Sequence, residues 1–492
     1  MGDEVTQTEY SREHRLQYRR KVQLSLDVFE TMLAQSSFEF DRPLTGMEIE
    51  CNLVDADYQP AMSNREVLAS IADPAFQTEL GAYNIEFNVP PRPLPGHSGF
   101  ELEEEVRASL NAAETKANSD GAHIVMIGIL PTLMPEHLSA GWMSESTRYQ
   151  ALNDSIFTAR GEDIMIDISG PERLSLQSAS IAPESACTSM QLHLQVSPAE
   201  FAQNWNAAQA LAGPQLALGA NSPYFFGHEL WAETRIELFA QATDTRPDEL
   251  KTQGVRPRVW FGERWITSIF DLFEENVRYF PSLLPEVSDE DPVAELAAGR
   301  TPNLSELRLH NGTVYRWNRP VYDVVDGRPH LRVENRVLPA GPTVVDMLAN
   351  SAFYYGATRA LSEDDRPVWT KLSFTAAERN FLAAARGGMD ARLYWPGLGE
   401  VTPDELVLRE LLPLAYQGLD RWGVAPDVRD RFLGVIEGRA KNGRNGAAWQ
   451  VATVRALQER GLARPQALAE MLRLYCERMH SNQPVHTWDG PA

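Results

Sequence analysis

The chain has 492 residues, 43% of them hydrophobic and 23% charged, which is ordinary globular composition and enough length for two or three domain-sized units or one large domain with appendages. Its 45 basic residues face 68 acidic ones, a formal net charge of −23 with no local basic patch, and this argues against nucleic acid or an anionic membrane surface as a partner. Three cysteines, Cys51, Cys187 and Cys476, lie far apart with no CxxC, which argues against a disulfide framework or a zinc site and makes a reducing compartment, by default the cytoplasm, the expected location.

The opening segment MGDEVTQTEYSREHRLQYRRK has no apolar h-region, and the longest apolar run, His123 to Leu133, is too short to span a bilayer. Met1-Gly2 with Thr6 fits the bare N-myristoylation pattern, but acidic residues follow Gly2 and no basic patch supports it. From Ser11 to about Leu33, residues Leu16, Val22, Leu26, Phe29 and Leu33 are spaced for one face of a packing helix. After Pro43 comes GMEIEC, a short strand that points Met47, Ile49 and Cys51 one way and Glu48 and Glu50 the other. A short helix is expected over Ser63 to Ala72.

Ala82 to Val89 alternates strictly until Pro90 and Pro91 stop it, and a helix follows from Gly99 to about Ser119. Ala122 to Leu130 is apolar on both faces and reads as a central strand covered on both sides. Thr188 to Val196 alternates Met190, Leu192, Leu194 and Val196 against Gln191, His193 and Gln195. Helices are expected over Ala199 to Leu218 and Trp265 to Phe280, with an acidic inserted loop over Pro285 to Pro302. A last β unit runs from about Thr313 to Tyr322, turns at Asp326-Gly327 and returns as Leu331 to Leu338. From Pro342 the pattern is helical to the end, and the Gly-rich string from Gly438 to Gly446 reads as a connection between helices.

Four of these strands share one property: an apolar face opposite a face of chemically useful groups. Those groups are Glu48 and Glu50; Asn84, Glu86 and Asn88; Gln191, His193 and Gln195; and Arg332, Glu334 and Arg336. Half-exposed antiparallel strands with solvated outer faces would also alternate, so the pattern alone leaves both readings open. The residue types are short of lysine and rich in oxygen acceptors with one imidazole, a set that suits hard divalent ions such as Mg²⁺ or Mn²⁺. Arginines do not bind cations, so they would face an anion, a phosphate held against the metals. None of the five lysines sits in a P-loop and no GxGxxG follows a strand, so the common nucleotide motifs are absent.

In order and spacing, GMEIE, then Thr78-Glu79-Leu80 and Asn84-Ile85-Glu86-Phe87, then Ser189 to Leu194, then Glu334-Asn335-Arg336, resemble the glutamate-cysteine ligase family of glutamine-synthetase-like carboxylate-amine ligases. The resemblance covers roughly Leu44 to Gly356. It implies an α+β fold: a curved, mainly antiparallel sheet forming an open funnel flanked by helices, with ATP and two or three Mg²⁺ ions inside. The segment from about Pro367 is not part of the core of that family, so the chain reads as a catalytic unit over 1–366 and a helical C-terminal extension over 367–492 that could cap the funnel or make a homo-oligomer contact.

By motif position, Glu48, Glu50, Glu79, Glu86, His193 and Glu334 resemble the family's metal ligands. Glu79 enters on the resemblance alone. Arg336 resembles the arginine on the transferred phosphate, and Arg235 and Arg316 resemble substrate- or phosphate-binding arginines. The implied reaction activates a glutamate-like carboxylate with ATP and joins it to an amine, with cysteine the commonest acceptor in a family that serves glutathione and related thiol biosynthesis. Tyr149 to Arg160 and the loop near Asn311-Gly312 are candidate lids over such a site. Two other readings stay open: a non-catalytic metal- and nucleotide-binding protein of the same fold, and a two-metal phosphohydrolase.

Overall fold

Strands that alternate between apolar and polar side chains can bury one face together only if they pair in matching register. The computed structural model describes residues 5–489 other than 9, 39, 41 and 42; Met1 and Gly2 of the myristoylation pattern lie outside them. Seven strands form one sheet: β1 (Thr45–Val54), β2 (Phe76–Thr78), β3 (Asn84–Arg92), β4 (His123–Val125), β5 (Met190–Gln195), β6 (Asn318–Val325) and β7 (Arg328–Asn335). Their order is β6-β7-β5-β1-β3-β2, with β4 paired to the far end of β1, and every pairing is antiparallel. The sheet curls into a half-barrel flanked by helices, the α+β architecture expected from the sequence.

On one face, Met47, Ile49, Cys51 and Leu53 of β1, Ile85 and Phe87 of β3, Met190, Leu192 and Leu194 of β5, and Leu331 and Val333 of β7 are all buried. Each such side chain contributes roughly 1.5–3 kcal/mol on burial. A one-residue slip of β1 would push Glu48 and Glu50 into that core, so the register is strongly fixed. Two helices that are buried almost all round, Phe201–Gly219 and Val344–Ser362, back this face. Tyr355 donates its hydroxyl to Gly46 O at 3.2 Å and to His193 O at 3.1 Å, and Trp205 Nε1 donates to Asn318 O at 2.9 Å. These bonds pin both helices to the strands.

Several expectations shift. The N-terminal helix spans Arg12–Ala34, capped by Ser11, and buries Tyr18, Val22, Leu26, Phe29 and Met32; Leu16 is 45% exposed, so the packed stripe is rotated from the expected one. Of Ala122 to Leu130 only β4 is strand. The rest is buried irregular chain whose carbonyls are satisfied by side chains: Ile127 O accepts from Asn52 Nδ2 at 3.2 Å and from Thr188 Oγ1, and Met126 O accepts from the Tyr475 hydroxyl at 2.8 Å. Beyond β4 it is apolar on both sides because it is enclosed, and among the described residues no strand pairs with it there.

The last β unit begins at Asn318 and ends at Asn335, and Tyr315–Arg316 instead pairs in parallel with Val259–Trp260. Its turn has positive φ at both Asp326 (52°) and Gly327 (74°), the geometry of a tight two-residue hairpin. The loop over Pro285 to Pro302 contains one short helix, Pro292–Ala297. A hairpin of Ile164–Ser169 with Arg173–Ser178 was not anticipated, although its IMIDIS segment alternates buried isoleucines with exposed residues.

Beyond Pro367, helices Leu412–Arg421 and Pro426–Asn442 dock onto Val344–Ser362, and helix Phe374–Gly387 onto Phe201–Gly219. A Cβ on Gly418 would lie 1.8 Å from Gly356 O, so glycine alone lets helix Leu412–Arg421 approach this closely. Arg439, on helix Pro426–Asn442, is 1% exposed and donates to Asp346 Oδ1 at 2.8 Å and Asn350 Oδ1 at 2.6 Å. Replacing one partner of a buried ion pair leaves the other charge uncompensated. Arg439→Ala is therefore expected to lower the unfolding free energy by about 3–5 kcal/mol, measured by denaturant titration. A change below about 1 kcal/mol would show that this contact does not hold the tail to the sheet's backing helix.

Candidate active site

The register places the polar face of the sheet side by side. Glu50 lies opposite Glu86, Glu48 opposite both Asn88 and Gln191, and Glu334 opposite His193. Directly opposed side chains in antiparallel strands interact across roughly 5 Å, so these groups form a continuous strip. Most of them are buried, including Glu50, Glu86, Gln191, His193 and Glu334. The solvated-face reading therefore fails for these strands.

Within the strip, the structure makes three groupings. Glu50, Glu86 and Glu79, the last from the turn after β2, place one carboxylate oxygen each within 4.8 Å of one another, the donor set and reach of a hard divalent-cation site. Glu50 accepts from Ser189 N at 2.5 Å and Gln191 Nε2 at 2.8 Å, and Glu86 accepts from Asn88 Nδ2 at 2.8 Å. Burial and the neighbouring charges of Glu86 and Glu50 hold the Glu79 carboxyl well above its usual range. Burial also raises Glu50, against the pull of Arg336 and with the push of Glu86. Three crowded carboxylates with few donors are an electrostatic debt that a cation would relieve.

The second grouping is a hydrogen-bond chain. Arg332 Nε donates to His193 Nδ1 at 3.1 Å, and His193 Nε2 lies 3.0 Å from Glu48 Oε1. An arginine can only donate, so this chain fixes the imidazole proton on Nε2, facing Glu48. Burial pushes Glu48 up, but the facing imidazole outweighs it and draws the carboxyl down to about 2. The third grouping centres on Glu334, which takes Arg319 at 2.9 Å and Arg336 at 2.6 Å and is held well below its usual range by them despite burial. Arg336 also donates to Gln191 Oε1, so Gln191 links it to Glu50.

Among the described residues, Glu48, His193 and Glu334 thus share the face with the Glu50–Glu79–Glu86 triad but lie outside its 4.8 Å reach. Arg235 lies in the same cavity wall, with Nε on Glu233 at 3.0 Å and one terminal nitrogen on Val337 O at 2.6 Å. Arg316 is committed to Glu275 at 3.0 Å and Asn276 at 3.1 Å and stacks 4.8 Å over Trp260. Sequence reasoning missed Arg319 and Glu184. Counting back from the Asp326-Gly327 turn puts Arg319 opposite Glu334, so that contact was recoverable. Nothing in the spacing around Glu184 marks it.

The strip separates two cavities. A smaller one of about 90 Å³ is walled by Glu50, Glu79, Glu184, Arg235, Tyr315 and Arg336. A wider recess of about 460 Å³ is walled by Glu48, Asn88, His193, Gln195, Arg328 and Arg332. Helix Thr147–Arg160 reaches the triad through Tyr149, whose hydroxyl donates to Thr78 O at 3.3 Å. Burial and the charges of Glu79 and Glu86 raise that hydroxyl's pKa. Asn311, near the other expected lid, is tied to Asn276 and to Pro320 O.

Family comparison of the sequence matches glutamate-cysteine ligase family 2 over residues 44–477. The chain belongs to that family. The match runs through the helices that follow Pro367. In fold it is similar to glutamate-cysteine ligase from Francisella tularensis, solved in complex with AMP, at 12% identity and a TM-score of 0.56 over 93% of this chain and 91% of that one. It is also similar to a bifunctional glutathione synthetase from Pasteurella multocida, at 12% identity and a TM-score of 0.53, with 92% of this chain covering 55% of that one. At such identity these likenesses speak for the fold alone. Comparison with curated proteins finds no similar sequence.

The raised carboxyls have a consequence for stability. A carboxyl raised in the folded state keeps a proton that the unfolded chain releases, so stability falls as pH climbs from its ordinary value near 4.5 towards the raised one. Glu79→Gln removes this loss. In EDTA its melting temperature is expected to exceed that of the unmodified protein at pH 8, with the gap closing near about pH 4. An equal or lower melting temperature at pH 8 would contradict the buried like-charge reading.

Proposed function

We propose that this protein is an ATP-dependent carboxylate-amine ligase that activates a glutamate-like carboxylate as an acyl phosphate and joins it to an amine, forming a γ-glutamyl-type amide. The observation that carries this reading is the largely buried Glu50–Glu79–Glu86 triad, joined through Gln191 to Arg336 and set between a small cavity and a wide one, in a member of the glutamate-cysteine ligase family. Phosphoryl transfer between two anionic oxygens is mainly a problem of position and charge, and no nucleophilic side chain is needed.

The residues divide that work. Glu50, Glu79 and Glu86 would hold Mg²⁺ or Mn²⁺, with Glu48, His193 and Glu334 completing the set. When bound, the metal supplies positive charge to the nucleotide's phosphates. The wide recess beside Glu48 and His193 takes the nucleotide, where Arg328 and Arg332 meet its anionic part. Arg336 uses one terminal nitrogen on Glu334 and Gln191, and the rest of its guanidinium neutralises the phosphoryl group in transfer. Arg235 faces the substrate cavity, while Arg316 acts by holding the wall through Glu275 and Trp260.

An acyl phosphate is readily hydrolysed, so water must be kept out. Phe239, Val259 and Trp317 form an apolar side of the smaller cavity, and helix Thr147–Arg160, tied to Thr78 O through Tyr149, serves as a lid at its acidic end. The three cysteines are free thiols, which suits the reducing cytoplasm.

Release of ADP and phosphate from ATP, Mg²⁺ and glutamate is expected to depend on an amine found by screening a panel. Glu50→Ala and Glu334→Ala should each lower that turnover by about 100-fold or more. Phosphate release independent of any amine would identify a phosphohydrolase instead. ATP binding without turnover under every amine would identify a non-catalytic protein.

A further inference from the structure

Glu79 is the one member of the triad that no strand carries. It opens the loop of residues 79–83, which joins β2 to β3. Much of what shapes this loop comes from residues 142–149, the run that leads into the lid helix Thr147–Arg160. Ala82 N donates to Trp142 O at 2.6 Å, Ser144 N donates to Leu80 O at 2.9 Å, and Gly81 bridges to Met143 between them. Ser144 Oγ donates to the backbone oxygen of Glu79 itself, and the Tyr149 hydroxyl donates to the oxygen of the residue before it, Thr78, at 3.3 Å. The far end of the loop is tied to β1 by Leu53 N, which donates to Tyr83 O at 2.7 Å.

Asn64, the first residue of helix Asn64–Ile71, locks the two runs together. Its backbone N donates to Ala82 O at 2.9 Å, and its side-chain amide is shared among Ser144 Oγ at 2.8 Å, Asn84 O at 3.0 Å and Gly81 O at 3.2 Å. Asn64 and Ser144 are both buried, so water does not compete for these bonds. Repulsion inside the triad bears directly on this network. Glu50 and Glu86 stand on paired strands whose register the core fixes, whereas Glu79 stands on a loop held by residues 142–149. Without a cation, the charge that pushes Glu79 from Glu50 and Glu86 strains the bond from Ser144 to the Glu79 carbonyl. A cation among the three carboxylates turns that push into attraction.

We infer that Ser144 and Asn64 are positioning residues for Glu79, through which cation binding and the seating of residues 142–149 become one event. This rests on the ligase reading for the identity of the cation site and of the lid, and it adds a link between them. A lid that seats over a loaded site keeps water out when the phosphoryl group is ready to move. Coupling of this kind is reciprocal: the factor by which the seated segment strengthens cation binding is the factor by which the cation stabilises the seated segment. If Ser144 only shaped the loop, alike with and without a cation, neither effect would follow.

The test uses the full-length protein and reads two quantities: Mn²⁺ affinity by titration calorimetry, and backbone hydrogen exchange of residues 142–149 with and without Mn²⁺. In the unmodified protein Mn²⁺ is expected to slow that exchange by about fivefold or more. Ser144→Ala should lose the slowing and bind Mn²⁺ more weakly by a similar factor, while Ser144→Thr, which keeps the hydroxyl, should retain both. Tyr149→Phe, which gives up only the donation to Thr78 O, should lose part of each. Bound Mn²⁺ with unchanged exchange at 142–149, or unaltered Mn²⁺ affinity in Ser144→Ala, overturns the inference. If Ser144→Ala does not fold, Tyr149→Phe with unaltered slowing and affinity overturns it instead. An unmodified protein that binds no Mn²⁺ overturns the cation reading and this inference together, whereas bound Mn²⁺ without slowing overturns the inference alone and leaves the ligase reading standing.

Discussion

Mutual repulsion among Glu50, Glu79 and Glu86 is the constraint on which the rest of the site depends. Two buried carboxylates and a half-buried one are set within 4.8 Å of one another, an arrangement that costs stability unless positive charge is supplied. The fold supplies some of it at a distance, through Arg336, but gives two other acids of the strip much closer partners: His193 for Glu48, and Arg319 with Arg336 for Glu334. The strip is therefore graded. At one end the chain itself gives the acids hydrogen-bond or cationic partners, and at the other they are left in deficit. On the ligase reading, that deficit is what fixes where a divalent cation settles.

Such a deficit persists only on a rigid frame. The apolar face of the sheet locks the register that opposes Glu50 to Glu86, and Tyr355 ties its backing helix to the carbonyls of Gly46 and His193, within the strands that carry the acids. The C-terminal helices reinforce that same helix through Arg439 and the Gly356–Gly418 approach. A tail distant in sequence thus bears on the acid strip through one intervening helix. This gives the family match across residues 44–477 a physical sense, since the tail and the sheet share a packing layer.

Much of this was legible in the sequence where a two-residue period was visible. GMEIEC, the Asn84–Glu86–Asn88 segment and the Gln191–His193–Gln195 segment each showed a polar face, and the Asp326-Gly327 turn revealed the hairpin. Alternation tells which residues share a face, but it cannot say whether that face is wet; burial of Glu86 and Glu334 decided that. Glu79 lies in a turn, where no period exists, and came only from family resemblance. Ala122 to Leu130 misled because enclosure by irregular chain and enclosure by sheet both select apolar residues.

The central claim is that the triad of acids, and no other part of the strip, is the primary cation site. Anomalous diffraction from crystals grown with Mn²⁺ and a non-hydrolysable ATP analogue tests this directly. The account predicts a strong manganese peak within coordination distance, about 2.0–2.4 Å, of oxygens from Glu50, Glu79 and Glu86, with the nucleotide's phosphates on its open side. A bound nucleotide whose manganese lies elsewhere, with the three carboxylates still crowded together and ion-free, would contradict it.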